Sequence, residues 1–100
     1  MMNDRSELIK KSRNLERVLN TVIDKSEDHI EEIFSTVIGE KCIVMIKVER
    51  SFWGDYHSYD YKKHDNFLSL ERKWQSIKDK ILNSAKMINL DLNLIKIFDE

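Results

Sequence analysis

Apolar residues recur along this 100-residue chain in two rhythms, and the rhythm assigns the elements. Leu8, Leu15, Val18, Leu19, Val22 and Ile23 repeat at three- and four-residue spacing, which predicts one buried helical stripe. Asp4 and Glu7 form an acid-x-x-Glu capping box ahead of it, so this helix is expected to begin at Asp4. Ile30, Ile33, Phe34, Val37 and Ile38 keep the same period. With Ser26 as N-cap, Glu27 and Asp28 in the first turn and Gly39 just past the end, they predict a second helix. The residues around Asp24–Ser26 leave open whether the chain breaks there or bends as one long helix.

Residues 41–50 change rhythm. Cys42, Val44, Ile46 and Val48 would share one face of a strand, with Ile43 and Met45 on the other, where Lys47 and Glu49 later emerge. Gly54-Asp55 supplies a turn, and Tyr56 to Tyr61 reads as a returning, edge-like strand. From a cap at Asp65 or Asn66, Phe67, Leu70, Trp74, Ile77, Ile81, Ser84 and Ile88 predict a long third helix. Leu90, Leu92 and Leu94 then alternate with polar residues and lead through Ile95 and Ile97 into a closing strand ending near Phe98.

The expected fold class is therefore α+β, a two-layer α-α-β-β-α-β domain over residues 1–100. Its small three-stranded, mainly antiparallel sheet would pack on helices. A right-handed crossover through the third helix sets the last strand beside the 41–50 strand, in the order 2-1-3. That order leaves the aromatic strand on an edge, open to partners.

Composition narrows the setting. A chain of this length can close one core without disulfides or metal. Cys42 is the only cysteine, so no intrachain disulfide forms, and a reducing, cytoplasmic location is expected. No apolar run reaches the roughly 18 residues of a membrane helix, so no membrane partner is expected. The N-terminal residues lack the apolar centre of a signal peptide. A net charge of -1 weakens the case for general nucleic-acid binding. Charge is unevenly spread, however: residues 26–40 hold five acids and neither lysine nor arginine.

The chemistry-bearing residues crowd one segment. Five of the nine aromatics fall at Phe52, Trp53, Tyr56, Tyr59 and Tyr61, next to Asp55, His57, Asp60 and His64. His57 and His64 could serve as acid and base in a metal-free ribonuclease, but their odd spacing aims them at opposite faces of a continuous strand. His57, Asp60, His64 and Asp65 match no zinc spacing, and Gly39 and Gly54 are isolated rather than part of a phosphate loop. No catalytic residue, metal or cofactor is expected. Cys42, in an apolar strand, reads as a small hydrophobe. Trp74, Phe67 and Phe98 read as core, whereas Trp53, beside Gly54, is expected to be exposed.

What remains is recognition of a protein. Tyrosine and tryptophan dominate interface hot spots because they bury much area while ordering few torsions. The expected anchors are Trp53, Asp55, Tyr56, Tyr59, Asp60 and Tyr61, supported by a negative field from Glu27, Asp28, Glu31 and Glu32. Such a surface suits a small non-enzymatic inhibitor, immunity or antitoxin-type protein that occludes a basic surface on a protein such as a toxin nuclease. A module for RNA or single-stranded nucleic acid ranks second, built on Lys10, Lys11, Arg13, Arg17, Lys62 and Lys63 with tyrosine stacking. A homo-oligomeric interaction subunit, pairing through an edge strand, is the third reading.

Overall fold

The computed structural model describes residues 4–56 and 65–99. Helix α1 spans Asp4–Val22 and a one-turn helix α2 spans Lys25–Asp28. Strands β1, Ile30–Ile38, and β2, Lys41–Val48, form a hairpin. A second one-turn helix α3, Arg50–Trp53, precedes the long α4, Phe67–Met87. A 3₁₀ turn at Leu92–Leu94 then leads into β3, Ile95–Asp99. The molecule is the expected α+β fold, with a mixed sheet in the order β1-β2-β3, β2 pairing antiparallel with β1 and parallel with β3.

Two elements differ from the sequence expectation. The expected second helix is α2 for a single turn, and the rest of it is β1. Asp24, not Ser26, caps that turn, accepting from the backbone N–H of Ser26 and Glu27 at 3.0 and 3.1 Å. His29 then takes a left-handed conformation, φ 54°, which stops the helix and turns the chain into the strand. Residues 30–38 suit a strand because five of the nine are β-branched and Ile33, Ser35 and Val37 can share a face. Gly39-Glu40 joins them to β2 as a two-residue loop. Gly39, at φ 62°, is positive and Glu40 is not, the pattern of a type II′ hairpin turn.

The second difference concerns the aromatic segment. Phe52 and Trp53 lie in α3 instead of an extended strand, and Tyr56 closes a turn with its N–H on the Trp53 carbonyl. The remainder of the expected strand, from His57 to Tyr61, lies outside the described residues. The 41–50 strand is central, with the closing strand beside it as expected; its other neighbour is β1. The closing strand starts at Ile95, because Asp91 accepts from Asn93 N–H and bends residues 92–94 into the 3₁₀ turn.

One core holds the layers together. Leu8, Leu15 and Leu19 of α1, with Ile23 just past its end, meet Leu70, Trp74, Ile77 and Ile81 of α4 over Ile33, Cys42, Val44 and Ile46 of the sheet. Val22, assigned to the stripe by its spacing, faces outward. Ser12 occupies the buried stripe of α1 without an apolar side chain. Its hydroxyl shares a 2.6 Å hydrogen bond with Ser35 Oγ, which in turn lies 3.2 Å from Cys42 Sγ. Helix α4 ends in a Schellman arrangement, with Asn89 at φ 58° and Leu90 N–H on the Ala85 carbonyl.

Candidate functional site

Strand alternation divides the sheet into two unlike faces. Ile33, Val37, Cys42, Val44, Ile46, Ile95 and Ile97 enter the core under the helices. Pairing places Phe34 beside Met45 and Met45 beside Phe98, so these three form one rung across the opposite face. Thr36, Ile43 and Lys96 form the next rung. Phe34, Met45 and Phe98 lie outside the core cluster and its packed neighbours; Ile43 on the same face is buried at 8%, and Phe34 and Met45 are half-buried. Ile38 keeps 64% of its surface and Phe98 47%. Both were expected in the core. Ile38 was assigned there by its helical spacing, and Phe98 by its bulk, whereas β3 alternation sends Ile95 and Ile97 inward and Phe98 out.

Lys41, Lys47 and Lys96 stand around this apolar row, with Glu32 paired in register with Lys47 at one end. Glu31 lies 3.8 Å from the Lys47 ammonium across exposed side chains, an ion pair of small energetic weight. The arrangement is a partly exposed apolar row rimmed by mixed charge. Surfaces of that kind mark contact sites more often than scattered exposed apolar residues do.

The expected anchors divide three ways. Trp53 is 0% exposed and Tyr56 is also buried, which corrects the expectation that Trp53 faces solvent. A large indole gains most by enclosure when its N–H finds an acceptor, and Trp53 Nε1–H reaches the carbonyls of Asp28 and His29, both at 3.1 Å. Its ring meets Tyr56 and Trp74 edge-on at 5.5 and 6.0 Å. Tyr56 stacks on Phe67 at 5.6 Å and hydrogen-bonds the Glu71 carboxylate; burial first, then that carboxylate, push its phenol well above its usual pKa. Asp28 is buried as well, at 7%. Exposed residues are Glu27, Glu31, Glu32 and Asp55, the last ion-paired with Arg50 at 3.2 Å. Tyr59, Asp60 and Tyr61 lie outside the described residues, as do His57, Lys62, Lys63 and His64.

A second polar group surrounds Asp28. Lys73 Nζ stands 3.4 Å from its Oδ1 and Lys80 Nζ 3.7 Å from its Oδ2, which has no hydrogen-bond partner. Next to it the His29 ring stacks on Phe52 at 3.9 Å and holds Glu49 Oε1 3.3 Å from Nδ1. The hydroxyls of Ser12 and Ser35 and the Cys42 thiol lie elsewhere. Ser35 is five positions along β1 from Ile30, roughly 17 Å at strand spacing. Among the described residues, no group of three His, Cys, Asp or Glu side chains could hold a metal ion.

The basic residues of α1 are partly engaged in structure. Lys11 Nζ donates to the Asn89 carbonyl at 2.7 Å, and Arg17 donates to Asn14 Oδ1 at 2.6 Å. Arg13 lines a crevice of about 220 Å³ with Ile9, Ser12, Ser35, Thr36 and Val37. No described helix is long and apolar enough to cross a membrane.

The rung of Phe34, Met45 and Phe98 did not emerge from the sequence reading, because a helix over 30–38 puts Phe34 inside. The usable signal was the alternation on both sides of Gly39-Glu40, which marks a hairpin with two faces. No family model matches the chain, and it has no match among the curated proteins or the solved structures.

Proposed function

We propose that this chain is a non-enzymatic protein-binding module that presents the helix-free face of its sheet to a protein partner. The observation that carries the reading is the Phe34–Met45–Phe98 rung, apolar and outside the core, with the exposed Ile38 two rungs further along β1. Interfaces gain most from such apolar and aromatic centres surrounded by polar rims. The rim here carries Lys41, Lys47 and Lys96 as well as Glu32. A partner of mixed charge around an apolar centre therefore fits the face itself.

The finer reading is an inhibitor, immunity or antitoxin-type protein that covers a basic surface, acting in the cytoplasm. Glu27, Glu31, Glu32 and Asp55 support it, since all four are exposed and two, Glu31 and Glu32, lie in β1 just before Phe34. Affinity capture with the wild-type chain and with Phe34→Glu/Met45→Glu in parallel tests the proposal. A stoichiometric protein retained by the wild type and lost by the variant is the expected result. A partner held equally by both refutes use of this face. Suppression of the captured partner's activity by the wild-type chain tests the inhibitor reading separately.

A further inference from the structure

The two edges of the sheet are treated differently by the rest of the molecule. The two-residue hairpin makes Ile38 and Lys41 a hydrogen-bonded pair, so alternation turns the backbone groups of Ile33, Ser35 and Val37 away from β2. Side chains of α1 meet two of these groups. Glu16 Oε1 accepts from Ser35 N–H at 2.8 Å, and Asn20 Nδ2 donates to the Ile33 carbonyl at 3.1 Å. Arg5 reaches the Gly39 carbonyl just past the strand. No strand can add to β1 without displacing α1.

Among the described residues, the free side of β3 has no such cover. Ile95 N–H is used by the Leu92 carbonyl of the 3₁₀ turn. Beyond it, no hydrogen bond outside the β2 pairing involves Lys96 to Phe98 among the described residues. An unpaired strand side is a template for another strand.

We infer that β3 pairs antiparallel with β3 of a second copy of this chain across a twofold axis, joining two sheets into one of six strands. Three features point to a copy as the occupant. With β1 covered by α1, the described residues offer a single open edge, so self-pairing closes as a dimer and does not run on into a fibre. A register centred on Ile97 sets Lys96 of each copy opposite Phe98 of the other on the helix-free face. An ammonium and its alkyl stem then cover an aromatic ring that is half exposed in the single chain. The Phe34–Met45–Phe98 rung also ends at this edge, so pairing extends it into the Lys96–Ile43–Thr36 rung of the second copy. The inference goes beyond the partner-binding reading and does not depend on it, since the joined faces remain open.

Light scattering on the eluting protein, from low micromolar to submillimolar concentration, tests it. The expected mass at high concentration is twice the 12.0 kDa of one chain. Phe98→Glu, folded by circular dichroism, should return to the single-chain mass, while Phe34→Glu, two strands from the edge, should stay dimeric. Single-chain mass for the wild type throughout would overturn the inference and leave the edge to a strand from another protein. Equal loss of dimer in both variants would overturn it in favour of face-to-face packing. Hydrogen exchange on the wild type needs no substitution: amide protection in residues 96–99 that rises with protein concentration supports edge pairing, and protection independent of concentration refutes it.

Discussion

The indole N–H of Trp53 lies 3.1 Å from the carbonyl oxygen of Asp28, a link between positions 25 residues apart. That carbonyl belongs to the last residue of α2, where helical carbonyls lack intrahelical partners. The same N–H reaches His29 O, which also accepts from Glu49 N–H at 2.9 Å. One side chain thus fastens the start of β1 to the segment that follows β2.

Trp53→Phe keeps most of the buried ring and loses the donor. The expected loss is about 1–3 kcal/mol, the cost of a buried acceptor left unpaired. Trp53→Ala should lose about 3–5 kcal/mol through the cavity it opens. Urea unfolding with an unchanged m-value measures both. A Phe variant as stable as the wild type would show that the hydrogen bonds contribute nothing.

Asp28 should couple more strongly to Lys73 than to Lys80. Lys73 is nearer, at 3.4 against 3.7 Å, and its side chain is 28% exposed against 42% for Lys80. Solvent screening discounts the more exposed partner. A double-mutant cycle of Asp28→Asn with Lys73→Met should return about 1 kcal/mol of coupling, and the cycle with Lys80→Met clearly less. Equal coupling energies would contradict this ranking.

Alkaline pH should destabilise the fold through Tyr56. Its phenol titrates higher in the folded chain than in the unfolded one, chiefly by burial and then by Glu71. The stabilising contribution is therefore whole below the unfolded value of about 10 and declines above it. While only the unfolded chain loses this proton, the decline approaches about 1.4 kcal/mol per pH unit. Tyr56→Phe should flatten this part of the stability profile above pH ~10. Parallel profiles for the two proteins would remove Tyr56 as the cause.

Gly39→Ala should cost about 1–2 kcal/mol, because φ 62° is a left-handed conformation that a Cβ disfavours. The added methyl meets nothing within 4 Å, so the whole effect is backbone strain. Thermal unfolding should show a lower midpoint with hairpin contacts otherwise kept. A larger loss would mean that the turn had been rebuilt.

Helix α1, helix α4 and strand β2 were legible from the residues alone. Leu8 to Ile23 and Leu70 to Ile81 repeat over several turns, and Cys42 to Val48 alternates among β-branched residues, so each carries one dominant period. Of the candidate site, the exposure of Glu27, Glu31, Glu32 and Asp55 was legible, as was the placement of Ile43 and Met45 on a face of their own. The buried roles of Trp53, Tyr56 and Asp28 were not. Local spacing records neither the distant carbonyl that accepts from Trp53 nor the Lys73 and Lys80 ammonium groups that meet Asp28.

Residues 30–38 show where local information stops. Ile30, Ile33, Phe34, Val37 and Ile38 satisfy a helical period, while Ile33, Ser35 and Val37 also fit an alternating one. The sequence by itself determined the long helices, the central strand and the α+β class, because those segments offer only one way to bury their apolar side chains. Only the tertiary structure decided that 30–38 is a strand. Pairing with β2 through the Gly39-Glu40 turn bonds the backbone, and α1 satisfies the other edge through Glu16 and Asn20. That choice turned Phe34 away from the core cluster and set it in one rung with Met45 and Phe98.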